Sequence, residues 1–216
     1  MQPQTAISRT LYELDRNPRL KIIAISGPGE PLANDSTFLT LEGIKEEKRE
    51  VHICLSTNGI LLEQNASRLK ELGVESISVS VSAIDPHTSA KVYEWLRVER
   101  NVIRGKKMGQ IIITKQLAGI ERALELGMTV KVNSILIPEI NANEMEVLAK
   151  RIAELGVRLQ NIVPLIVTPT CHHLRSPTKK EVEKARIAAS RYIQQFTHCK
   201  QCRSDVVGIP GNDRIL

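Results

Sequence analysis

The sequence predicts an α/β fold built on a parallel sheet, and three observations carry that expectation. Residues 22–25 (I-I-A-I) form an apolar run without alternation, the pattern of a strand covered on both faces. The run stops in G-P-G-E-P, where the glycines permit close backbone approach and the prolines remove donors, so a helix cannot follow and Glu30 is left in a rigid loop at the strand's C-terminal end. Beyond it, strand-like and helix-like patterns alternate with short connections, which implies parallel strands in either an open doubly wound sheet or part of a barrel. In both architectures ligands bind at the C-terminal ends of the strands.

The elements follow in order. Residues 5–17 carry Ile7, Leu11 and Leu14 at helical spacing, so an amphipathic helix precedes the first strand. Asp35 or Ser36 is expected to cap a helix reaching Glu47, and residues 51–56 (V-H-I-C-L-S) read as a strand closed by T-N-G. Leu62, Ala66 and Leu69 mark a helix that stops at Gly73, and residues 76–82 (S-I-S-V-S-V-S) alternate with period two before I-D-P breaks them. Residues 87–97 are expected to be helical, while 98–110 are charged and give no clear period. Ile113, Leu117, Ile120 and Leu124 form one face of a helix ending at Gly127. A strand at 130–137 ends at Pro138, a helix bears Met145, Leu148, Ile152 and Leu155, and residues 161–167 are expected to be the last strand. A loop then leads to a helix starting at Pro177-Thr178, and the tail from about residue 197 to 216 reads as irregular. No internal repeat and no linker divides the 216 residues, so a single domain is expected.

Composition narrows the function classes. The formal net charge is +6, but Lys and Arg are dispersed among Glu and Asp, without the basic block and interleaved aromatics of a nucleic-acid binder. No apolar run approaches the roughly 20 residues that span a bilayer, and M-Q-P-Q-T has no signal-peptide character, so a cytoplasmic address is expected. Cys54, Cys171, Cys199 and Cys202 then point to metal or redox chemistry rather than a disulfide scaffold.

Cys199 and Cys202 form a C-x-x-C pair beside His198, Lys200 and Arg203, suited to two thiolates on one metal or cluster, or to a dithiol. A thioredoxin-type role is disfavoured because the pair trails the last helix instead of opening one. Cys54 lies mid-strand, where a cysteine serves as a small buried hydrophobe or, near the strand's C-terminal end, as a ligand. Cys171, His172 and His173 are metal-ligand types in a loop, but adjacent histidines give no fixed chelate. Ser78, Ser80 and Ser82 share a face, and Asn133-Ser134 interrupts an apolar strand; such polar groups need partners, either backbone and water or a ligand. Polar breaks at the ends of four strands favour one shared polar ligand site. An aldolase-type barrel would need an interior lysine, and Lys131, between Val130 and Val132, is the sole strand candidate.

The ordered set I-S-G-P-G-E-P-L-A-N, C-L-S-T-N-G, I-D-P-H-T-S-A-K-V-Y-E-W, K-Q-L-A-G-I-E, V-K-V-N-S-I-L-I-P-E-I-N, N-I-V-P-L-I and H-C-K-Q-C-R-S-D-V-V-G resembles the NifB family, the radical S-adenosylmethionine (SAM) enzymes of nitrogenase iron–molybdenum cofactor biosynthesis. The resemblance covers nearly the whole chain. It implies a partial (β/α) barrel of radical SAM type, here without its first strand. It also implies [4Fe-4S] clusters and S-adenosyl-L-methionine as cofactors, and an activity that fuses two [4Fe-4S] clusters, with carbide and sulfur added, into an eight-iron precursor. Carried over by position, Gly27, Gly29 and Glu30 match the segment lining the amino-acid end of SAM, and Ser82, Asn133, Ser134, Ile135 and Ile137 match positions facing the same molecule. Cys54 matches a ligand of one substrate cluster, and Cys199 with Cys202 match ligands of the other. Cluster donors and nitrogenase cofactor-assembly proteins are the implied partners.

One part of the family pattern does not appear. The C-x-x-x-C-x-x-C that holds the catalytic cluster is absent from these 216 residues, and Cys54, Cys171, Cys199 and Cys202 have other spacings. The N-terminal histidine and cysteine ligands expected for the substrate clusters are absent too. The chain as written is therefore expected not to cleave SAM, with a non-catalytic iron–sulfur carrier or scaffold as the alternative, and an open first-strand edge is expected to promote self-association.

Overall fold

The structure, a computed structural model, describes residues 1–47, 50–197, 206–209 and 212–215. The tail pair Cys199 and Cys202 lies outside the described residues. Helix α1 (Pro3–Arg16) leads into β1 (Ile22–Ile25), a single 3-10 turn (Pro31–Ala33), α2 (Asp35–Glu47), β2 (His52–Thr57), α3 (Leu62–Glu71) and β3 (Val74–Ser80). Next come α4 (Pro86–Val92), a hairpin of β4 (Leu96–Val98) and β5 (Asn101–Ile103), α5 (Gly105–Glu125) and β6 (Thr129–Leu136). Then follow α6 (Met145–Glu154), β7 (Leu159–Pro164), α7 (Lys179–Ala189), β8 (Gln194–Gln195) and a last hairpin of β9 (Val206–Ile209) with β10 (Asn212–Ile215).

Six strands make one sheet in the order β1-β2-β3-β6-β7-β8, every neighbouring pair parallel. Each crossover moves the chain one place in the same direction, so the order contains no reversal of the kind a doubly wound sheet requires. With a constant crossover hand, all the connecting helices fall on one face. The burial agrees: Leu55, Val79, Val132 and Ile162 on alternate strand positions are fully buried in one core with Leu41 and Ile44 of α2, Leu62 and Leu69 of α3, Ile120 of α5, Leu148 and Ile152 of α6 and Ala189 of α7. The result is an open, one-sided part of a barrel, with no closed barrel among the described residues.

That one-sidedness corrects the expectation that residues 22–25 are covered on both faces. Ile23 and Ile25 pack against the core, whereas Ile22 is 62% exposed, because it stands beside His52 on the face without helices, in a strand whose neighbour among the described residues is β2. The helix expected at 87–97 stops at Val92, and the next residues turn into β4 and β5. A short hairpin of this kind carries too few residues for its period to show. Helix α5 accordingly starts at Gly105, inside the unreadable stretch. The cap of α2 is Asn34, whose Oδ1 accepts from Ser36 N at 3.0 Å, one residue before the expected position. Residues 159–164 rather than 161–167 form β7, β8 follows it, and part of the tail expected to be irregular is the β9–β10 hairpin.

Candidate functional site

Strand register defines the face that the helices leave open. Ala24, Cys54, Ser76 and Thr129 stand side by side, the next row is Ser56, Ser78, Lys131 and Leu159, and the third is Ser80, Asn133 and Asn161. Partners in a parallel register point to the same side, so these residues share one surface. It is polar where the opposite face is aliphatic, and Cys54, Ser56, Ser80, Lys131 and Asn133 retain solvent exposure. The Asn161 amide donates to Asn133 Oδ1 at 3.3 Å, joining β7 to β6 across it.

The C-terminal rim above this face is held together loop to loop. Glu30 Oε1 accepts from Thr57 Oγ1 at 2.6 Å and from Leu32 N at 3.1 Å, and Oε2 accepts from Asn58 N at 2.7 Å. A carboxylate offers about four acceptor positions, so one on Oε2 is left over. The G-P-G-E-P loop is thereby clamped to the end of β2. Gln116 of α5, 1% exposed, donates from Nε2 to Asn58 O at 2.9 Å and to Ser80 O at 2.8 Å, joining the ends of β2 and β3. Asn141, fully buried, donates from Nδ2 to Ser82 O at 2.7 Å and Ile135 O at 2.8 Å and accepts from Ile137 N at 2.8 Å, while Ser82 Oγ accepts from Ile135 N at 3.0 Å. Glu144 Oε2 accepts from Ile84 N and Asp85 N. Arg175, after β7, pairs with Glu139 at 3.0 Å and with Glu181 at 2.7 Å. Paired guanidinium and a Thr178 amide hold the Glu181 carboxyl down to about 2.

The residues expected to face SAM therefore divide. Gly29, at φ 96, has nothing within 4 Å of where a Cβ would stand, so its backbone borders open space at the rim. Gly27 shares that loop, and Asn133 and the 40% exposed Ile135 stand on the open face. Glu30, Ser82 and the Ile137 amide are engaged in the rim clamps. Ser134 lies on the helix-covered face, fully buried, its Oγ accepting from Gln160 Nε2 at 3.0 Å. Cys54 is on the open face beside Ala24 and Ser76. Below it, His52 Nε2 meets Ser76 Oγ at 2.7 Å and Nδ1 meets Glu75 Oε2 at 3.0 Å.

Cys171 sits in an exposed 3-10 turn (Pro169–Cys171) of the loop after β7, its sulfur accepting from Thr168 N at 3.2 Å with Thr168 Oγ1 at 3.3 Å. Those bonds favour the thiolate and draw its pKa down. His172 Nδ1 is bonded to Pro169 O at 2.9 Å and its ring meets His173 edge-on. Among the described residues no group of three or more His, Cys, Asp or Glu side chains is placed to hold a metal ion. Gln116 and Asn141 were not singled out from the sequence. The signal was there for Gln116, a polar residue on the otherwise apolar stripe Ile112, Ile113, Ile120; for Asn141 only the fold shows what it ties.

Residues 3–152 match the family model of the radical SAM superfamily. The FeMo cofactor biosynthesis protein NifB of Methanocaldococcus jannaschii is 38% identical over 216 residues, which is 100% of this chain and 72% of that protein. The chain belongs to the NifB family. Its NifB relative in Klebsiella pneumoniae is 36% identical, with 99% of this chain and 47% of that protein covered; the one in Methanocaldococcus infernus is 39% identical, with 94% and 67% covered. The fold alone is shared with a radical SAM methyltransferase from Sphaerobacter thermophilus (TM-score 0.67, 18% identity, 91% of this chain and 57% of that chain) and with Streptococcus suis SuiB (TM-score 0.62, 13% identity, 90% and 42%). This NifB-family chain is thus a member of a radical SAM enzyme family, and among its described residues no helix is long and apolar enough to cross a membrane.

The groups this family uses fit the chain unequally. An open polar face, the unpacked backbone at Gly29 and the spare Glu30 acceptor suit a polar ligand with an ammonium end such as SAM. The donor set does not suit the catalytic [4Fe-4S] cluster, because three thiolates in a C-x-x-x-C-x-x-C are not among the 216 residues.

Proposed function

We propose that this chain serves nitrogenase FeMo-cofactor biosynthesis as a NifB-type radical SAM protein, in which two [4Fe-4S] substrate clusters are fused with carbide insertion into an eight-iron precursor. The observation that carries this reading is the 38% identity to a NifB protein across all 216 residues, joined to a one-sided barrel whose open face is polar and bears Cys54. SAM, when bound, supplies radical chemistry. Gly27, Gly29 and the remaining Glu30 acceptor take its amino-acid end, and Ser82, Asn133, Ser134, Ile135 and Ile137 shape the strand ends beside it. Where Ser82 and Ile137 are locked in clamps, and Ser134 faces the helices, the contribution is to hold the rim rather than to touch the ligand. Cys54 and the pair Cys199 and Cys202 ligate the substrate clusters; Phe196, three positions before Cys199, packs over Lys131 of the open face. Cluster donors and cofactor-assembly proteins are the partners.

We further propose that these 216 residues alone do not cleave SAM. After anaerobic reconstitution with iron, sulfide and reductant, the expected result is bound cluster and no 5′-deoxyadenosine. Appending a family segment with C-x-x-x-C-x-x-C ahead of Met1 is expected to yield 5′-deoxyadenosine and an eight-iron species by electron paramagnetic resonance. If the extended chain loads all its clusters yet forms neither, the enzymatic reading fails and the second reading, an iron–sulfur carrier, takes its place. The donor set favours that second reading for the chain as it stands.

A further inference from the structure

Gln116 is a buried amide on an otherwise apolar helix face, and its donors all serve the rim. Its Nε2 donates to Asn58 O at 2.9 Å and to Ser80 O at 2.8 Å, with Tyr93 Oη at 3.4 Å, and the residue is 1% exposed. Helix α5 is held close to that rim: a Cβ at Gly119, three positions on, would stand 2.8 Å from Leu62 Cβ at the start of α3. Burying an amide so deeply carries a desolvation cost that an aliphatic side chain avoids, so what its bonds position is informative.

The bonds run on from Gln116 to Glu30. The carbonyl that Gln116 meets belongs to the 58–59 peptide, whose N–H, on Gly59, donates to Thr57 Oγ1 at 3.0 Å; that hydroxyl donates in turn to Glu30 Oε1 at 2.6 Å. Every donor points the same way, so each bond polarises the next and the chain ends on the carboxylate. A second arm, Asn58 N to Glu30 Oε2 at 2.7 Å, holds the other oxygen. The 58–59 peptide is the soft link, because Gly59 (φ 83) tolerates either sign of φ and a turned-over peptide would carry its N–H away from Thr57. Gln116 opposes that turn. With the carbonyl held from α5, Thr57 keeps its role as donor to Glu30, and the acceptor left over on Oε2 keeps one direction.

We propose that Gln116 is a positioning residue for the radical SAM reaction, aiming the remaining Glu30 acceptor at the ammonium end of SAM without itself touching the ligand. This rests on the proposed contact between Glu30 and the amino-acid end of SAM. A carboxylate whose other acceptor positions are filled presents a single directed lone pair, which is what a fixed ammonium contact requires.

The test uses the whole chain and two ligands that share a nucleoside and a sulfur, SAM and 5′-deoxy-5′-methylthioadenosine, the second of which lacks the amino-acid end. Both are titrated calorimetrically into the unaltered protein, Gln116→Met, Thr57→Val, Glu30→Gln and the double variant Gln116→Met, Glu30→Gln, with thermal melts to establish folding. Gln116→Met keeps the side chain's length and removes its donors. It is expected to weaken SAM about tenfold and to leave methylthioadenosine unchanged, since what is misdirected is one charge-assisted hydrogen bond. Thr57→Val interrupts the same relay from the rim and is expected to show the same selective loss, which keeps the test decisive if Gln116→Met does not fold. In the Glu30→Gln background Gln116→Met is expected to add little, the mark of two residues acting as a unit. Equal weakening of both ligands leaves Gln116 a purely structural role and overturns the proposal. SAM affinity lowered by Glu30→Gln but untouched by Gln116→Met overturns it too, while leaving the Glu30 contact standing. SAM affinity indifferent to Glu30→Gln, or absent from the unaltered chain, overturns the Glu30 reading and the positioning role with it.

Discussion

The Glu30 carboxylate reaches from the loop after β1 to the end of β2, where Thr57 Oγ1 donates to it at 2.6 Å and Asn58 N at 2.7 Å. A residue that a sequence reader marks for ligand contact is thereby also a structural clamp, and its two roles separate by substitution. Glu30→Ala removes a charged acceptor from three donors and is expected to cost roughly 2–3 kcal/mol in urea unfolding, whereas Thr57→Val, which leaves the other two bonds in place, is expected to cost about 1 kcal/mol. Equal and negligible losses would show the clamp to be idle.

Gly59 and Gly29 both have positive φ, 83 and 96, yet differ in surroundings. A Cβ at Gly59 would stand 2.8 Å from Val79 Cγ1 and 3.1 Å from Gln116 Cγ, while at Gly29 it meets nothing. Gly59→Ala is expected to add overpacking of about 1–3 kcal/mol to the backbone strain, and Gly29→Ala to show the strain alone, about 1 kcal/mol. Differential scanning calorimetry of the pair reads the difference directly.

Acid sensitivity is expected at the loop after β7. Arg175 holds Glu181 well below its ordinary 4.5, at about 2, so the folded form keeps the carboxylate while the unfolded form protonates first. A depressed folded value means that the contribution is full above about 4.5 and is lost as pH falls toward about 2. Because Glu181 lies at the surface, its pair open to solvent, the contribution is small and screened by salt. In Glu181→Gln the stability profile between those two pH values is expected to flatten, most visibly at low ionic strength.

Thr168 stabilises the Cys171 thiolate from two sides. Iodoacetamide labelling of Cys171, followed by mass spectrometry against pH, is expected to show its midpoint at lower pH in the unaltered chain than in Thr168→Val. Superimposable profiles would remove the hydroxyl from any part in the thiol's acidity.

At the sheet's open edge, Ile22 is 62% exposed on a strand that, among the described residues, is paired on one side only. Ile22→Lys is expected to reduce self-association in light scattering at high concentration, since a charge on an edge strand blocks edge-to-edge pairing. A parent chain that is already monomeric at that concentration would remove this expectation.

The sequence by itself determined the succession of strands and helices and the polar strand ends, because the apolar period of each long element and the glycines and prolines closing it are local properties. The ordered motifs likewise carried the family. It did not determine that the strands are covered on one side only, which follows from six parallel strands taken in unbroken order, nor the β4–β5 hairpin, too short for a period to show. Nor did it show that Glu30, Ser82 and Asn141 clamp the rim, or that Lys131, singled out as a strand lysine between two valines, meets Phe196 65 positions later. Such pairings depend on strand register and crossover hand, and only the assembled sheet decides which side chains share a face.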